Sequence, residues 1–435
     1  MDTNRKTAFE ALLDIEVNGA YSNLAAASAI GQYHPDNEPF VRALIYGVLE
    51  NQIYLDYRLD GLVRSGMRKV RTPARILLRM GAYQIEFMNS VPDYAAINET
   101  VKMTRKLCRG LEGFVNGVLR AYARGRGAKL PDPAEDIGRF LSLRYSYSED
   151  ITEMWLAGFG PERTRSLMEA GNAVPDLTVR VNTLKCTPQQ LAERLADSAV
   201  SLEPVQVPEP YGSALQGAVF RAAGTGILET DAFREGWFYV QDAASSAAVA
   251  ALDPRPGDTL IDVCAAPGGK SFAAAMLMEG KGKIFSCDIY EHKMELIRAT
   301  AEKLGLDLIE PVLHDARQTN PDFAEQADCV IADVPCSGLG VVRRRPEMKR
   351  KANLADMKKL PALQKEILEA AAGCVKPGGR LMYSTCTISE MENEQIAQAF
   401  LKQHDEFRML HEKQFFPDTD FCDGFYFCIM QKDPA

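Results

Sequence analysis

Apolar residues recur every three to four positions through FEALLDI, FVRALIYGVLENQIYLDYRL and INETVKMTRKLCRGLEGFVNGVLRAY. That period is helical, and it predicts an all-helical region over residues 1–130. Thr72 followed by Pro73 reads as a hydroxyl cap with proline at the first helical position. In the helix that follows, Ile76, Leu77, Met80, Tyr83 and Phe87 form one apolar stripe, with Arg75 and Arg79 away from it. The glycines and prolines of RGRGAKLPDPAED (124–136) predict the domain boundary. Residues 137–230 combine a strand at LTVRVNTL (177–184), a helical pattern at 188–197 and the proline-rich EPVQVPEPYG, and are expected to form a small α/β subdomain. From about residue 237 the period changes again. TLIDVCAA, KIFSCDI, CVIADVP and GRLMYSTCT are apolar runs separated by helical stretches. Over 231–435 this predicts a doubly wound, mostly parallel sheet covered on both faces. DGFYFCIMQK is expected to be a late antiparallel strand at or near the edge.

Bulk properties narrow this picture. A chain of 435 residues implies two or three domains. Its 46% hydrophobic and 25% charged content is that of a soluble globular protein. The start, MDTNRKTAFE, lacks a signal peptide's apolar core, and no apolar run reaches the ~18 residues that span a bilayer. A cytoplasmic protein without membrane partners is expected. The ten cysteines then read as free thiols, and without a C-x-x-C pair no metal site is expected. The net charge of −9 is uneven: residues 1–130 hold 18 Lys/Arg against 13 Asp/Glu, a balance of +5, which leaves −14 for the rest. The helical region can therefore offer nucleic acid a basic surface despite the acidic total.

The chemistry lies in the last domain. TLIDVCAAPGGKSFAAA reads as strand, glycine turn and helix, and ligands of such sheets bind beyond the carboxyl ends of the strands. Gly268 and Gly269 allow close backbone approach. Asp262 ends the first strand, Asp288 the second, and Asp315 and Asp333 follow the third and fourth. Carboxylates at four strand ends suit a nucleoside with a cationic sulfonium better than a polyphosphate. A phosphate-binding G-x-x-x-x-G-K-[ST] loop would need glycine where Cys264 stands, and the dinucleotide G-x-G-x-x-G is absent. Cys336 in ADVPCSGLG and Cys386 in YSTCTIS fall on the same rim, whereas the remaining cysteines read as packed thiols. Two rim thiols suit methylation at carbon 5 of a pyrimidine, where thiolate addition to carbon 6 makes carbon 5 nucleophilic. Asp333, three residues before Cys336, is placed to bind the base edge of cytosine. Which thiol attacks stays open on these grounds. The run RRRPEMKRK (343–351) holds six basic residues and one acid, and beside the Cys336 loop it is expected to contact RNA phosphates.

DVCAAPGGKS, ADVPCSGLGVVRRRPEMK and YSTCTI together resemble the RNA 5-methylcytosine methyltransferases of the Sun/Nol1/Nop2 family, and the first helices resemble the RNA-binding factor NusB. The resemblance covers nearly the whole chain. It implies a Rossmann-like class I methyltransferase domain at 231–435, an RNA-recognition-motif-like subdomain at 137–230 and a NusB-like domain at 1–130. It implies S-adenosylmethionine as donor, held by Cys264, Ala265, Ala266, Pro267, Gly268, Gly269, Lys270, Asp288, Asp315 and Asp333. Cys386 becomes the nucleophile, with Cys336 assisting proton removal or release. The implied substrate is small-subunit ribosomal RNA, at cytosine 967, and no DNA partner is expected. Transfer RNA methylation and a non-enzymatic RNA-binding assembly factor are the alternatives. The arginines at 343–345 and Arg350 depart from the family's usual RRHP and aromatic at these places.

Overall fold

The computed structural model describes residues 2–434 apart from 197, 216, 225, 352 and 353. It divides into two compact units, residues 1–173 with 342–354, and residues 174–341 with 355–435.

The first unit is helical. Thr3–Asn18, Ser22–Tyr33, Glu38–Glu50, Gln52–Asp60, Thr72–Phe87, Asp93–Leu107 and Glu112–Ala123 surround one apolar core. Short polar side chains start several of them: Asp2 accepts from the Arg5 amide at 2.7 Å and Asn37 from the Phe40 amide at 3.0 Å. The helix expected at Thr72–Pro73 is present, but its cap residue is Arg71 and no side chain caps it. Of the predicted stripe, Ile76, Leu77 and Met80 are buried, while Phe87 at the helix end stays partly exposed. Gly47 allows a tight helix crossing, since a Cβ there would sit 1.9 Å from the Tyr83 ring.

Two stretches outside residues 1–130 add to this unit. Residues 137–173, expected in the α/β part, are helices that join this unit: Ile137–Tyr145 and Glu149–Gly171, the latter broken at Gly160 (φ 74°) before Pro161. The basic run is the second. Pro346, Glu347 and Lys349 are buried in this unit, and Arg345 is the one exposed residue among Arg343–Arg350. Glu347 accepts from the Ser22 hydroxyl at 2.8 Å. The Lys349 ammonium donates to the carbonyls of Glu50 (3.1 Å) and Tyr145 (3.4 Å) and to Asn172 Oδ1. Burial pushes the Lys349 pKa down, and the Glu50 charge opposes that. Arg79 is likewise spent internally, on Asp56 at 2.7 Å and on Glu16 at 2.5 Å, where Arg75 joins at 2.7 Å. Lys349, Arg75 and Arg79 thus hold helices together through these contacts.

In the second unit, β1 (Leu177–Val181), β2 (Val200–Pro204), β3 (Val219–Gly224) and β4 (Phe238–Val240) form an antiparallel sheet ordered β2-β3-β1-β4. Helix Pro188–Leu195 follows β1, opened by a reciprocal Thr187–Gln190 capping box, and the short helix Asp231–Arg234 precedes β4. The larger sheet comprises β5 (Thr259–Asp262), β6 (Lys283–Asp288), β7 (Ile309–Leu313), β8 (Ala327–Asp333), β9 (Val375–Thr385), β10 (Phe407–Phe415) and β11 (Phe425–Lys432). Its order is β10-β11-β9-β8-β5-β6-β7. β5 to β9 are parallel, and β11 runs antiparallel between β9 and β10, one place in from the edge. Alternate residues enter opposite cores: Leu260, Ile284, Cys329 and Met382 on one face, Ile261, Cys287, Val330 and Leu381 on the other. This is the predicted doubly wound class I architecture. β6 and β7 step outward from one side of β5 while β8 lies on the other, so the topological switch falls between β5 and β8.

Replacing Lys349 by alanine removes a buried donor shared by the Glu50 and Tyr145 carbonyls and Asn172 Oδ1. Urea unfolding of Lys349→Ala should show a loss of about 3 kcal/mol or more; wild-type stability would contradict the anchoring role.

Candidate active site

Asp262 and Asp333 end the two strands that flank the switch. After Asp262 the chain turns through 263–268 into helix Gly269–Leu277. Gly268 holds φ 107°, and a Cβ there would lie 2.3 Å from the Phe272 ring, so the turn needs glycine on both counts. The Gly269 carbonyl accepts from Gln241 Nε2 at 2.7 Å and from the Tyr239 hydroxyl at 3.3 Å, which ties β4 to the turn.

Lys270 reaches from the first turn of that helix to Asp333 Oδ2 at 2.7 Å, over the Phe425 ring. Ser384, opposite Asp333 in the β8–β9 register, donates to Asp333 Oδ1 at 2.8 Å. Burial lowers the Lys270 pKa, but Asp333, Asp262 and Cys386 outweigh it and hold the ammonium above its usual value. Asp262 is fully buried. Its Oδ2 accepts from Ser271 at 2.8 Å, and Ser286 donates onward to Ser271 at 2.8 Å. Its Oδ1 is buried with no hydrogen-bond partner among the described residues. Burial pushes the Asp262 carboxyl up to about 7, opposed by the Ser271 hydrogen bond and reinforced by the Asp333 charge.

Three of the four predicted strand-end acids converge on the turn. Burial, followed by the charges of Asp262, Asp333 and Asp288, pushes the Cys264 thiol well up. Asp288 also takes Lys293 at 3.2 Å. Asp315 stands apart: Arg317 binds it at 2.5 Å and holds its carboxyl down at about 2. Negative charge from Asp262, Asp288 and Asp333 around this turn suits a cationic ligand bearing hydroxyls better than a polyphosphate.

The two rim cysteines meet. Cys336 Sγ and Cys386 Sγ lie 3.2 Å apart, both partly exposed as whole residues. The hydrogen bond to Cys386, then burial, push the Cys336 thiol well up. Sequence reasoning missed what holds their loops. Buried Glu392 accepts from the Ser337 amide (2.9 Å), the Ser337 hydroxyl (2.6 Å) and Gln364 Nε2 (3.0 Å), and Gln364 also donates to the Pro335 carbonyl. Asn393 accepts from Thr385 at 2.5 Å and donates to the Thr387 carbonyl at 3.0 Å, on the two sides of Cys386. The Gly340 amide donates to the Cys386 carbonyl at 3.0 Å, and a Cβ on Gly340 would sit 1.9 Å from the Gly424 carbonyl. The signal available was weak: a Glu392-Asn393 pair a few residues past a cysteine reads as ordinary helix-start chemistry.

Comparison with known proteins matches each part. The 16S rRNA methyltransferase RsmB/F family matches residues 249–431, the NusB family residues 2–124, and the RsmF/B-like ferredoxin-like domain residues 150–215. The chain is 36% identical to the probable ribosomal RNA small subunit methyltransferase B of Bacillus subtilis, over 98% of both chains. It is 30% identical to the ribosomal RNA small subunit methyltransferase B of Vibrio cholerae, over 98% of this chain and 97% of the relative. A solved structure from Pyrococcus horikoshii, described as a methyltransferase homolog protein, covers 69% of this chain and all of its own, with a TM-score of 0.60 at 26% identity. An acid-lined glycine turn at a class I switch point, two thiols in contact and this whole-length likeness have one reading: the chain belongs to the 16S rRNA methyltransferase RsmB/F family and is an S-adenosylmethionine-dependent rRNA methyltransferase.

Proposed function

We propose that the protein methylates carbon 5 of a cytosine in small-subunit ribosomal RNA, cytosine 967, through a covalent adduct at Cys386. The observation that carries this reading is the contact of Cys336 and Cys386 beside the acid-lined turn. The whole-length relatives named for the small subunit support ribosomal over transfer RNA as substrate.

The cofactor supplies an electrophilic methyl group on a sulfonium. It is held by the backbone of Cys264–Gly269, by Asp288, and by the acids around the turn. Asp315 keeps its place as a proposed contact, with Arg317 to be displaced or shared. The chain's own part begins with the thiols. Cys386 adds as thiolate to carbon 6 of the cytosine and makes carbon 5 nucleophilic. The Lys270 ammonium is stabilised by a charged Cys386, and because Coulombic attraction is mutual it favours that thiolate. Asp333 holds Lys270 in place and keeps lone pairs for the base edge of the cytosine. Once carbon 5 carries its methyl, solvent water takes its proton, the C5–H electrons restore the carbon 5–carbon 6 double bond, and the carbon 6–sulfur bond breaks with its electron pair leaving on the Cys386 sulfur. Cys336, kept as a thiol by its hydrogen bond and burial, donates to the departing Cys386 sulfur. Of the two roles expected for Cys336, this favours release over proton removal.

Cys386→Ala should lower methylation of ribosomal RNA by roughly 10⁴-fold or more, read by bisulfite sequencing at cytosine 967. Full activity would remove the assignment. Cys336→Ala should accumulate a protein–RNA species that migrates slowly on a denaturing gel; its absence with substrate RNA and cofactor present would overturn the release role.

The Asp262 carboxyl gives a pH prediction for the ligand-free protein. Its folded value of about 7 lies above the unfolded value near ~4. Its contribution to stability is therefore complete below about pH 4 and is lost as pH rises through 7. Between pH 5 and 8 the urea midpoint of the wild type should fall relative to that of Asp262→Asn. Parallel pH profiles would mean that Asp262 does not titrate as a buried acid.

A further inference from the structure

Arg180 lies on β1 with 2% of its surface exposed. Its neighbours Val179 and Val181 turn into the small domain's own core with Leu191 and Leu195. Side chains alternate along a strand, so Arg180 occupies the opposite face, beside its cross-strand partners Tyr239 and Val219. That face packs against the cofactor turn. Tyr239 and Val219 share a core with Ala265 and Phe272, and the Tyr239 ring stands edge-on to Phe272 at 5.8 Å.

The guanidinium Nε and Nη1 are buried with no hydrogen-bond partner among the described residues. Burial pushes the Arg180 pKa down, and the one group that opposes this is Tyr239. A guanidinium still keeps its proton, so a buried cation lies on the face that packs against the turn, with no salt-bridge partner among the described residues. Buried charges are kept where a partner satisfies them. Here the partner has to arrive with a ligand.

Two kinds of oxyanion reach this rim. RNA carries its phosphates along a chain that runs over a surface. The methionine end of the cofactor is a free terminus that enters a recess, and the burial of Arg180 selects it. The other cation at the turn, Lys270, is already paired with Asp333. The acids Asp262, Asp288 and Asp333 suit the ammonium, the sulfonium and the ribose, but repel a carboxylate. We infer that Arg180 receives the α-carboxylate of the methionine moiety of S-adenosylmethionine, an inference that rests on the cofactor assigned above.

Calorimetric titration of the full chain with S-adenosylhomocysteine and with its decarboxylated analogue tests this without turnover. The wild type should prefer the carboxylate-bearing compound by roughly 10- to 100-fold. Arg180→Met should bring S-adenosylhomocysteine down to the affinity of the decarboxylated compound and leave the latter unchanged. Arg180→Lys, which keeps the charge and changes the fold least, should retain part of the preference, and it decides the matter if Arg180→Met does not fold. An unaltered preference in these variants overturns the inference. So does a variant that weakens binding of substrate RNA while both cofactor analogues bind as before, because the guanidinium then serves a phosphate. A wild type that binds neither compound overturns the cofactor assignment itself, and the inference with it.

Discussion

The ion pair between Lys270 and Asp333 joins the turn after β5 to the end of β8, the two strands on either side of the topological switch. Two charges taken out of water are costly, and their attraction offsets that only when the geometry is good and the remaining lone pairs are used. Ser384 takes the other Asp333 oxygen, and the Phe425 ring lies under the ammonium. The pair thus draws on β5, β8, β9 and β11 at once. It ties the glycine turn to the end of β8, and in the proposed reaction it sets a positive charge near the Cys386 sulfur. In the proposed function, cofactor binding and activation of the nucleophile draw on the same contact.

The cysteines are held by a different device. Their loops leave β8 and β9 side by side, and loops that bend away from a sheet lose its ladder of hydrogen bonds. Glu392 and Asn393 replace that ladder, one reaching into the Cys336 loop and the other bracketing Cys386. The close pass of Gly340 against Gly424 closes the arrangement. Both clamping side chains are buried, while the two cysteines remain partly exposed.

Much of this was legible in the sequence where period or spacing carries it. The helical region, the parallel sheet, the glycine turn and three converging acids follow from alternation of apolar residues and from acids placed at strand ends. Partners distant in sequence were not legible. Arg79 and Lys349 look like surface charges by composition, yet Asp56, Glu16 and the carbonyls of Glu50 and Tyr145 turn them inward. Asp315 has the same spacing credentials as Asp288, but Arg317, two residues on, claims it locally. Arg180 carried no signal, because a single arginine in an apolar strand becomes unusual only when its missing partner is seen. Which sulfur attacks was open from spacing and came from family resemblance; the 3.2 Å contact between the two sulfurs places both at the same point and leaves that choice to the resemblance.

The central claim is that Cys386 forms the bond to carbon 6 of cytosine. Substrate RNA carrying 5-fluorocytosine at the target cannot lose a proton from carbon 5 after methyl transfer, so the adduct persists. Digestion of that complex and mass spectrometry of the cross-linked peptide identify the sulfur. The account predicts a modified peptide containing Cys386 and an unmodified one containing Cys336. Attachment at Cys336, or a protein that methylates ordinary RNA but forms no adduct with the fluorinated one, would contradict it.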